Sequence, residues 1–239
     1  MGVTRADVCA VIVAGGSGQR FGNPGGKQLI DVAGKPLMTW SVLAFDTAPS
    51  VGHIVVVCPA ARTDEVRRRA IDPFDIKTPL TFAAAGETRQ DSTRAGLDAV
   101  PQGCAYVAIH DGARPLITPQ VIEDAVQALR ESEGIDGVVC GQPSVDTLKL
   151  VSDDAVIQGT PPRSSYWTVQ TPQIFTVDAL RRAEDAARAE GFVGTDDASL
   201  VERAGGFVQC VECPRDNLKV TLPEDLPLVE FLLNEKLRG

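Results

Sequence analysis

The stretch Val11-Ile12-Val13-Ala14-Gly15-Gly16-Ser17-Gly18-Gln19-Arg20, continuing to Lys27, joins an apolar run to a glycine turn that ends in two cations. Glycines at 15, 16 and 18 permit positive φ and let successive N–H groups converge on one anion, while Arg20 and Lys27 supply full charge. The chemistry this suits is phosphate binding. Taken alone, the loop suits an ordinary strand-to-loop connection equally well. It lacks the Gly-Lys-Ser/Thr ending of a P-loop and the third glycine of a dinucleotide fingerprint.

Three further clusters fall near the ends of strand-like runs, and a fourth opens a helix. Ile109-His110-Asp111-Gly112-Ala113-Arg114-Pro115 delivers an acid and a base into a turn. Asp111 could hold a magnesium ion that bridges nucleotide phosphates, or could close a turn salt bridge with Arg114. His110 could act as a general base, but an imidazole satisfied by backbone contacts is the favoured reading. Asp216-Asn217-Leu218-Lys219-Val220-Thr221 offers Lys219, and Arg163 with Thr171 lies on a segment further upstream. Gly86 to Ser92 is a glycine turn at a helix start, with Arg89, Asp91 and Ser92 able to touch a base or ribose. Neither a Ser-His-Asp order nor a histidine pair of metal-ligand spacing occurs, so phosphoryl-type chemistry with cationic stabilisation fits better than covalent catalysis.

Apolar runs at 8–14, 53–58, 105–110 and 136–140 alternate with helical patterns near 36–47, 62–70, 89–99 and 119–132. That order implies one α/β domain over 1–239, a layered and mostly parallel sheet with helices on both faces. Thr118-Pro119 reads as a helix start, and Thr221-Leu222-Pro223-Glu224 as a capping box. After residue 140 the pattern changes: 146–151 and 155–158 read as strands of a hairpin inserted at about 141–165, too small to stand alone and expected to pack on something else, such as a second subunit. Helical patterns return at 177–190 and 195–204, followed by a strand at 207–213 and a last helix from 222.

A net charge of −9 excludes a broad nucleic-acid surface, so an anionic ligand must be held by local cations. Arg67-Arg68-Arg69 reads as a solvated helix face. The apolar run 8–14 is far short of a membrane span and no basic leader precedes it, from which a soluble, cytoplasmic protein is expected. Six scattered cysteines read as reduced thiols; Cys210 and Cys213 have metal or redox spacing, but on a strand they would point to opposite faces.

Taken in order along nearly the whole chain, eight blocks resemble the 2-C-methyl-D-erythritol 4-phosphate cytidylyltransferase family of the non-mevalonate isoprenoid pathway. They are Ala14 to Arg20, Lys27-Gln28, Ala85 to Ser92, His110 to Pro115, Asp146-Thr147, Gln170 to Gln173, Thr195 to Ser199 and Asp216 to Thr221. The resemblance implies a nucleotide-diphospho-sugar-transferase-like, Rossmann-like fold, a homodimer joined through the hairpin arm, and CTP with Mg²⁺. It implies that methylerythritol phosphate attacks the α-phosphorus of CTP and expels pyrophosphate. By the same carry-over Arg20 and Lys27 stabilise the transition state, Arg163 and Lys219 position the sugar phosphate, and Asp111 lies near the metal. Thr147, Thr171 and Arg114 would contact substrate, and Ala14, Gly15, Gly16, Gly18, Gly86, Arg89 and Ser92 would line the nucleotide site. Many members carry Pro-Ala-Ala-Gly where this chain has Val13-Ala14-Gly15-Gly16, and Ala at Gly112. The Ala14-Gly15-Gly16 form also occurs in pentitol-phosphate cytidylyltransferases, which use ribitol 5-phosphate. That family and a non-catalytic nucleotide-binding protein are the alternatives.

Overall fold

The computed structural model describes residues 6–16, 21 and 26–238. Along the chain run β1 (Val8–Val13), the short β2 (Asp31–Val32) and β3 (Lys35–Pro36), α1 (Leu37–Asp46), β4 (Val51–Cys58), α2 (Thr63–Val66), β5 (Leu80–Ala84) and α3 (Arg89–Asp98). They are followed by β6 (Tyr106–Asp111), α4 (Pro119–Glu131), β7 (Gly137–Pro143), β8 (Leu150–Val151), β9 (Ile157–Gly159), β10 (Trp167–Thr176), α5 (Val177–Glu190), α6 (Asp197–Arg203), β11 (Val208–Glu212) and α7 (Leu226–Arg238).

Seven strands form one sheet in the order β11-β7-β10-β6-β1-β4-β5. β1 lies at its heart, parallel to β4 and β6, and carries apolar residues without alternation because both of its faces are covered. Val8, Ala10 and Ile12 enter one core layer with α1 and α4, while Cys9 and Val11 enter the other with α5 and α6. A smaller cluster joins Val229 and Leu233 of α7 to Leu37, Leu116 and Val220. Only β10 runs antiparallel to its neighbours, so the sheet is mostly parallel, as the alternation of patterns implies.

The expected elements recur with small changes of boundary, but the short β2–β3 pair and two strands of the central sheet, β5 and β10, were not legible. β5 has only five residues and sits at the sheet edge, half covered, so it offers neither a long apolar run nor a clean alternation. β10 contains Pro172, which argues against a central strand; the register with β7 breaks between Val169 and Gln173, where the missing N–H is tolerated. Thr118 caps α4 as expected, its hydroxyl accepting from Val121 N. The box at 221–224 is a correction: Asp225 Oδ2, not a Thr221–Glu224 pair, accepts from Thr221 N at 2.6 Å and Leu222 N at 2.8 Å. A carboxylate reaches two N–H groups that the Thr221 hydroxyl, turned towards Lys219 O, does not serve. The helical pattern at 62–70 is realised as α2 followed by a wider π turn over Arg67–Ile71.

The inserted hairpin is present but shorter than expected, β8 pairing with β9. It exposes Leu150, Val151, Val156 and Ile157. Cys213 packs in one core layer and Cys210 against the other, on opposite faces of the sheet, and all six cysteines are free. Among the described residues no helix is long and apolar enough to cross a membrane.

Candidate active site

The carboxyl ends of β1, β5 and β6 open on a cleft of ≈ 450 Å³, the place where open α/β sheets bind ligands. Gly15 and Gly16 leave β1 along one wall. Gly86 to Arg89 and Ser92 form a second wall at the start of α3, and Asp111 and Ala113 a third beyond β6. Lys27, Gln28 and Lys219 complete the lining.

Two glycines let the first walls approach each other. A Cβ on Gly15 would stand 2.4 Å from Ala85 Cβ, and one on Gly86 would stand 2.2 Å from Asp91 Cβ. Neither distance is attainable, so both positions exclude a side chain. The wall formed by α3 is fixed by a capping box: Thr88 Oγ1 accepts from Asp91 N, and Asp91 Oδ2 accepts from Thr88 N, each at 3.0 Å. Asp91 is therefore a helix cap, and the expectation that it faces a base is not supported by its bonds. Ser92 Oγ accepts from Gly86 N at 3.2 Å and donates to Thr88 O at 2.9 Å, which shapes the turn from inside.

Asp111 is the electrostatic centre. Lys219 Nζ lies 2.6 Å from Oδ2, Arg89 Nε 3.5 Å from Oδ1 and Arg114 Nε 3.7 Å from Oδ2. Burial by itself would raise the Asp111 pKa, but Lys219 and Arg89 outweigh it and hold the carboxyl well below the usual carboxylate range. Of the two sequence readings of Asp111, the structure shows the turn pairing with Arg114, and it also places the residue in the cleft lining. Arg89 reaches backwards to Asp197 at 2.8 Å, a carboxylate only 1% exposed whose pKa burial raises against the pull of Arg89. Lys27 Nζ donates to Val220 O at 2.5 Å, next to Lys219. Lysines from the first loop and the last turn thereby meet across one cleft, which accounts for a strongly acidic chain holding a locally cationic site.

His110 is fully buried. Its Nδ1 meets Thr171 Oγ1 at 3.2 Å, its Nε2 meets Arg114 O at 3.3 Å, and the Phe45 ring stands 5.1 Å away. Burial lowers its pKa to about 4, so it is a neutral structural imidazole, as favoured above.

Lys27, Lys219, Asp111, Arg89, Gly15, Gly16, Gly86 and Ser92 come together as the sequence suggests, with Ala14 anchored just behind by its N–H bond to Val57 O. Thr171 and Arg114 stand behind the lining. Thr171 Oγ1 accepts from Asp111 N at 3.0 Å, and Arg114 Nη1 donates to Asn217 O at 2.8 Å. Thr147 and Arg163 lie on the hairpin limb and do not line this chain's cleft; Arg163 Nη1 donates to Val145 O at 2.8 Å. Gly18 and Arg20 fall outside the described residues. Asp197, which orients Arg89, and Asn217, whose Nδ2 donates to Thr171 O at 2.9 Å, were missed as site residues. The adjacent acids Asp196 and Asp197 carried a signal: Asp196 caps α6, while Asp197 in its first turn is buried and pairs with Arg89.

The family's sequence model, described as 2-C-methyl-D-erythritol 4-phosphate cytidylyltransferase, matches residues 8–235. The chain belongs to this family. A cytidylyltransferase of that name from Syntrophotalea carbinolica is 40% identical over 228 residues, covering 95% of this chain and 96% of the relative. The crystal structure of the Thermus thermophilus 2-C-methyl-D-erythritol 4-phosphate cytidylyltransferase superposes with TM-score 0.74 at 30% identity, covering 94% of this chain and 98% of that one. A 4-diphosphocytidyl-2C-methyl-D-erythritol synthase from Anaerococcus prevotii superposes with TM-score 0.83 at 26% identity, over 95% and 96% of the two chains. These matches favour the methylerythritol phosphate cytidylyltransferase family over the pentitol-phosphate alternative.

Proposed function

We propose that the protein transfers CMP from CTP to 2-C-methyl-D-erythritol 4-phosphate and releases pyrophosphate. The observation that carries this reading is the convergence of Lys27, Arg89 and Lys219 on one cleft at the carboxyl ends of the central strands, with Asp111 between Arg89 and Lys219. A phosphate oxygen of the acceptor attacks the α-phosphorus in line, and the bond from that phosphorus to the bridging oxygen of pyrophosphate breaks. The nucleophile is already anionic, so no base is required, consistent with a histidine held neutral and out of the cleft. Rate then comes from positioning and neutralisation of developing charge. Lys27 stabilises the charge that shifts on to the leaving group, and Lys219 orients the acceptor phosphate. The backbone at Gly15 and Gly16 admits the phosphates, while Gly86 and Ser92 face base and ribose. Arg20 is assigned to the same anionic transition state by the family resemblance.

Two carboxylates line the cleft, the exposed Glu87 and the buried Asp111, and Asp111 would hold Mg²⁺, an ion usually bound by one or two carboxylates together with substrate phosphates. When bound, the ion neutralises phosphate charge. The exposed apolar residues of the β8–β9 limb support a homodimer in which each arm covers its partner, bringing Arg163 and Thr147 to the partner's cleft. Free, mostly buried cysteines suit the cytoplasm.

The deciding experiment is a pyrophosphate-release assay of 2-C-methyl-D-erythritol 4-phosphate against ribitol 5-phosphate, each with all four nucleoside triphosphates. Release with CTP and the methylerythritol compound is expected. Release with ribitol 5-phosphate alone would place the protein in the pentitol family, and release with neither would support the binding protein.

A further inference from the structure

We propose that Lys236, near the end of α7 and outside the cleft lining, is a positioning residue that holds the Asp111 turn and the Lys219 turn in register. The inward face of α7 carries Val229 and Leu233, both buried against Leu116 and Val220, and Lys236 follows on the same face. Where a third apolar residue would extend the stripe, the chain has a lysine whose ammonium reaches two separate loops. Nζ donates to Leu116 O at 2.9 Å and pairs with Asp216 Oδ2 at 2.9 Å.

Leu116 ends the turn that begins with Asp111, and Asp216 opens the turn that presents Lys219. Two bonds already join those turns: Val220 N donates to Ala113 O at 2.8 Å, and Arg114 Nη1 donates to Asn217 O at 2.8 Å. Lys236 adds the clasp at the end remote from the cleft. A pair exposed by about a third contributes little to global stability. Its consequence is geometric, because the Lys219–Asp111 contact of 2.6 Å depends on how the two turns sit against each other, and small misplacements of reacting groups are expensive in rate.

The inference rests on the proposed reaction only through its kinetic assay, so two readouts are needed. In Lys236→Met, which keeps the stem and removes charge and donors, kcat/KM for 2-C-methyl-D-erythritol 4-phosphate is expected to fall roughly tenfold, with KM for CTP unchanged within about twofold. Lys236→Arg should restore most of the loss. Asp216→Asn, which opens the clasp from its other side, should reproduce it, and the double variant should be no worse than either single change. Independently of turnover, acetic anhydride labelling followed by mass spectrometry should modify Lys219 severalfold faster in Lys236→Met than in the native chain or in Lys236→Arg. Unchanged kinetics together with unchanged Lys219 labelling would overturn the proposal. A matched rise in both KM values with a large drop in melting temperature would do the same, because it would mark a merely structural residue. If Lys236→Met fails to fold, Asp216→Asn decides by the same two readouts. Native protein that turns over neither acceptor would defeat the proposed reaction and leave the labelling result to judge the clasp.

Discussion

Glu184 provides a prediction whose size can be worked from the structure. It lies on the inner side of α5, 2% exposed, and its Oε1 has no hydrogen-bond partner among the described residues. Burial, reinforced by the charge of Asp197 and opposed by Arg94, raises its pKa from 4.5 to about 7. A carboxyl whose folded pKa is raised contributes stability that is complete below its unfolded pKa and is lost as pH rises through the folded value. Glutamine cannot titrate, so the stability of Glu184→Gln relative to native must climb between about pH 4.5 and about pH 8. At about 1.36 kcal/mol per pKa unit the climb is about 3 kcal/mol. Any constant difference between glutamine and protonated glutamate cancels from this change. His110 slopes the other way, since its lowered pKa removes stability as pH falls from 6.5 to about 4, but it is common to both proteins and also cancels. Urea unfolding of the two proteins at several pH values measures the difference directly. A difference that stays flat within about 0.5 kcal/mol over that range would refute the assignment of a buried, late-titrating Glu184.

Two further outcomes test the site. Lys27→Ala should lower kcat roughly a hundredfold or more with the fold intact by circular dichroism; a normal kcat with only KM for CTP raised would show that Lys27 binds the nucleotide without serving the transition state. If Arg163 acts on the partner's cleft, Lys27→Ala and Arg163→Ala chains, each nearly inactive, should recover roughly a quarter of native activity after dissociation and remixing, because half of the dimers become hybrids with one intact site. Hybrids confirmed by mass spectrometry but without activity would show that Arg163 does not act in trans.

The sequence by itself determined the layers and the inventory. Near-continuous apolar runs alternating with helical patterns are read as buried parallel strands, so 8–14 and 105–110 were legible as strands and Gly15 and Asp111 as residues at their ends, whereas the strand that delivers Gly86 was not. Glycines at 15 and 86 were legible because so little else can occupy a turn, and the acidic balance of the whole chain required any anion to be held by a few local cations. Tertiary structure decided which charges meet. Lys27 and Lys219 are separated by most of the chain, and only the closure of the last turn on to β6, through Val220 N and Ala113 O, brings them to one cleft. Asp197 and Lys236 were not legible as supports, because a charge that orients another charge leaves no periodicity in its own segment. β10 was hidden for a related reason: its polar residues and Pro172 contradict a central strand until a register break and the contacts with β6, β7, Asp196 and Asn217 satisfy them. Short-range pattern records which face of an element is covered, while the identity of the atoms that cover it is settled by contacts far apart in sequence.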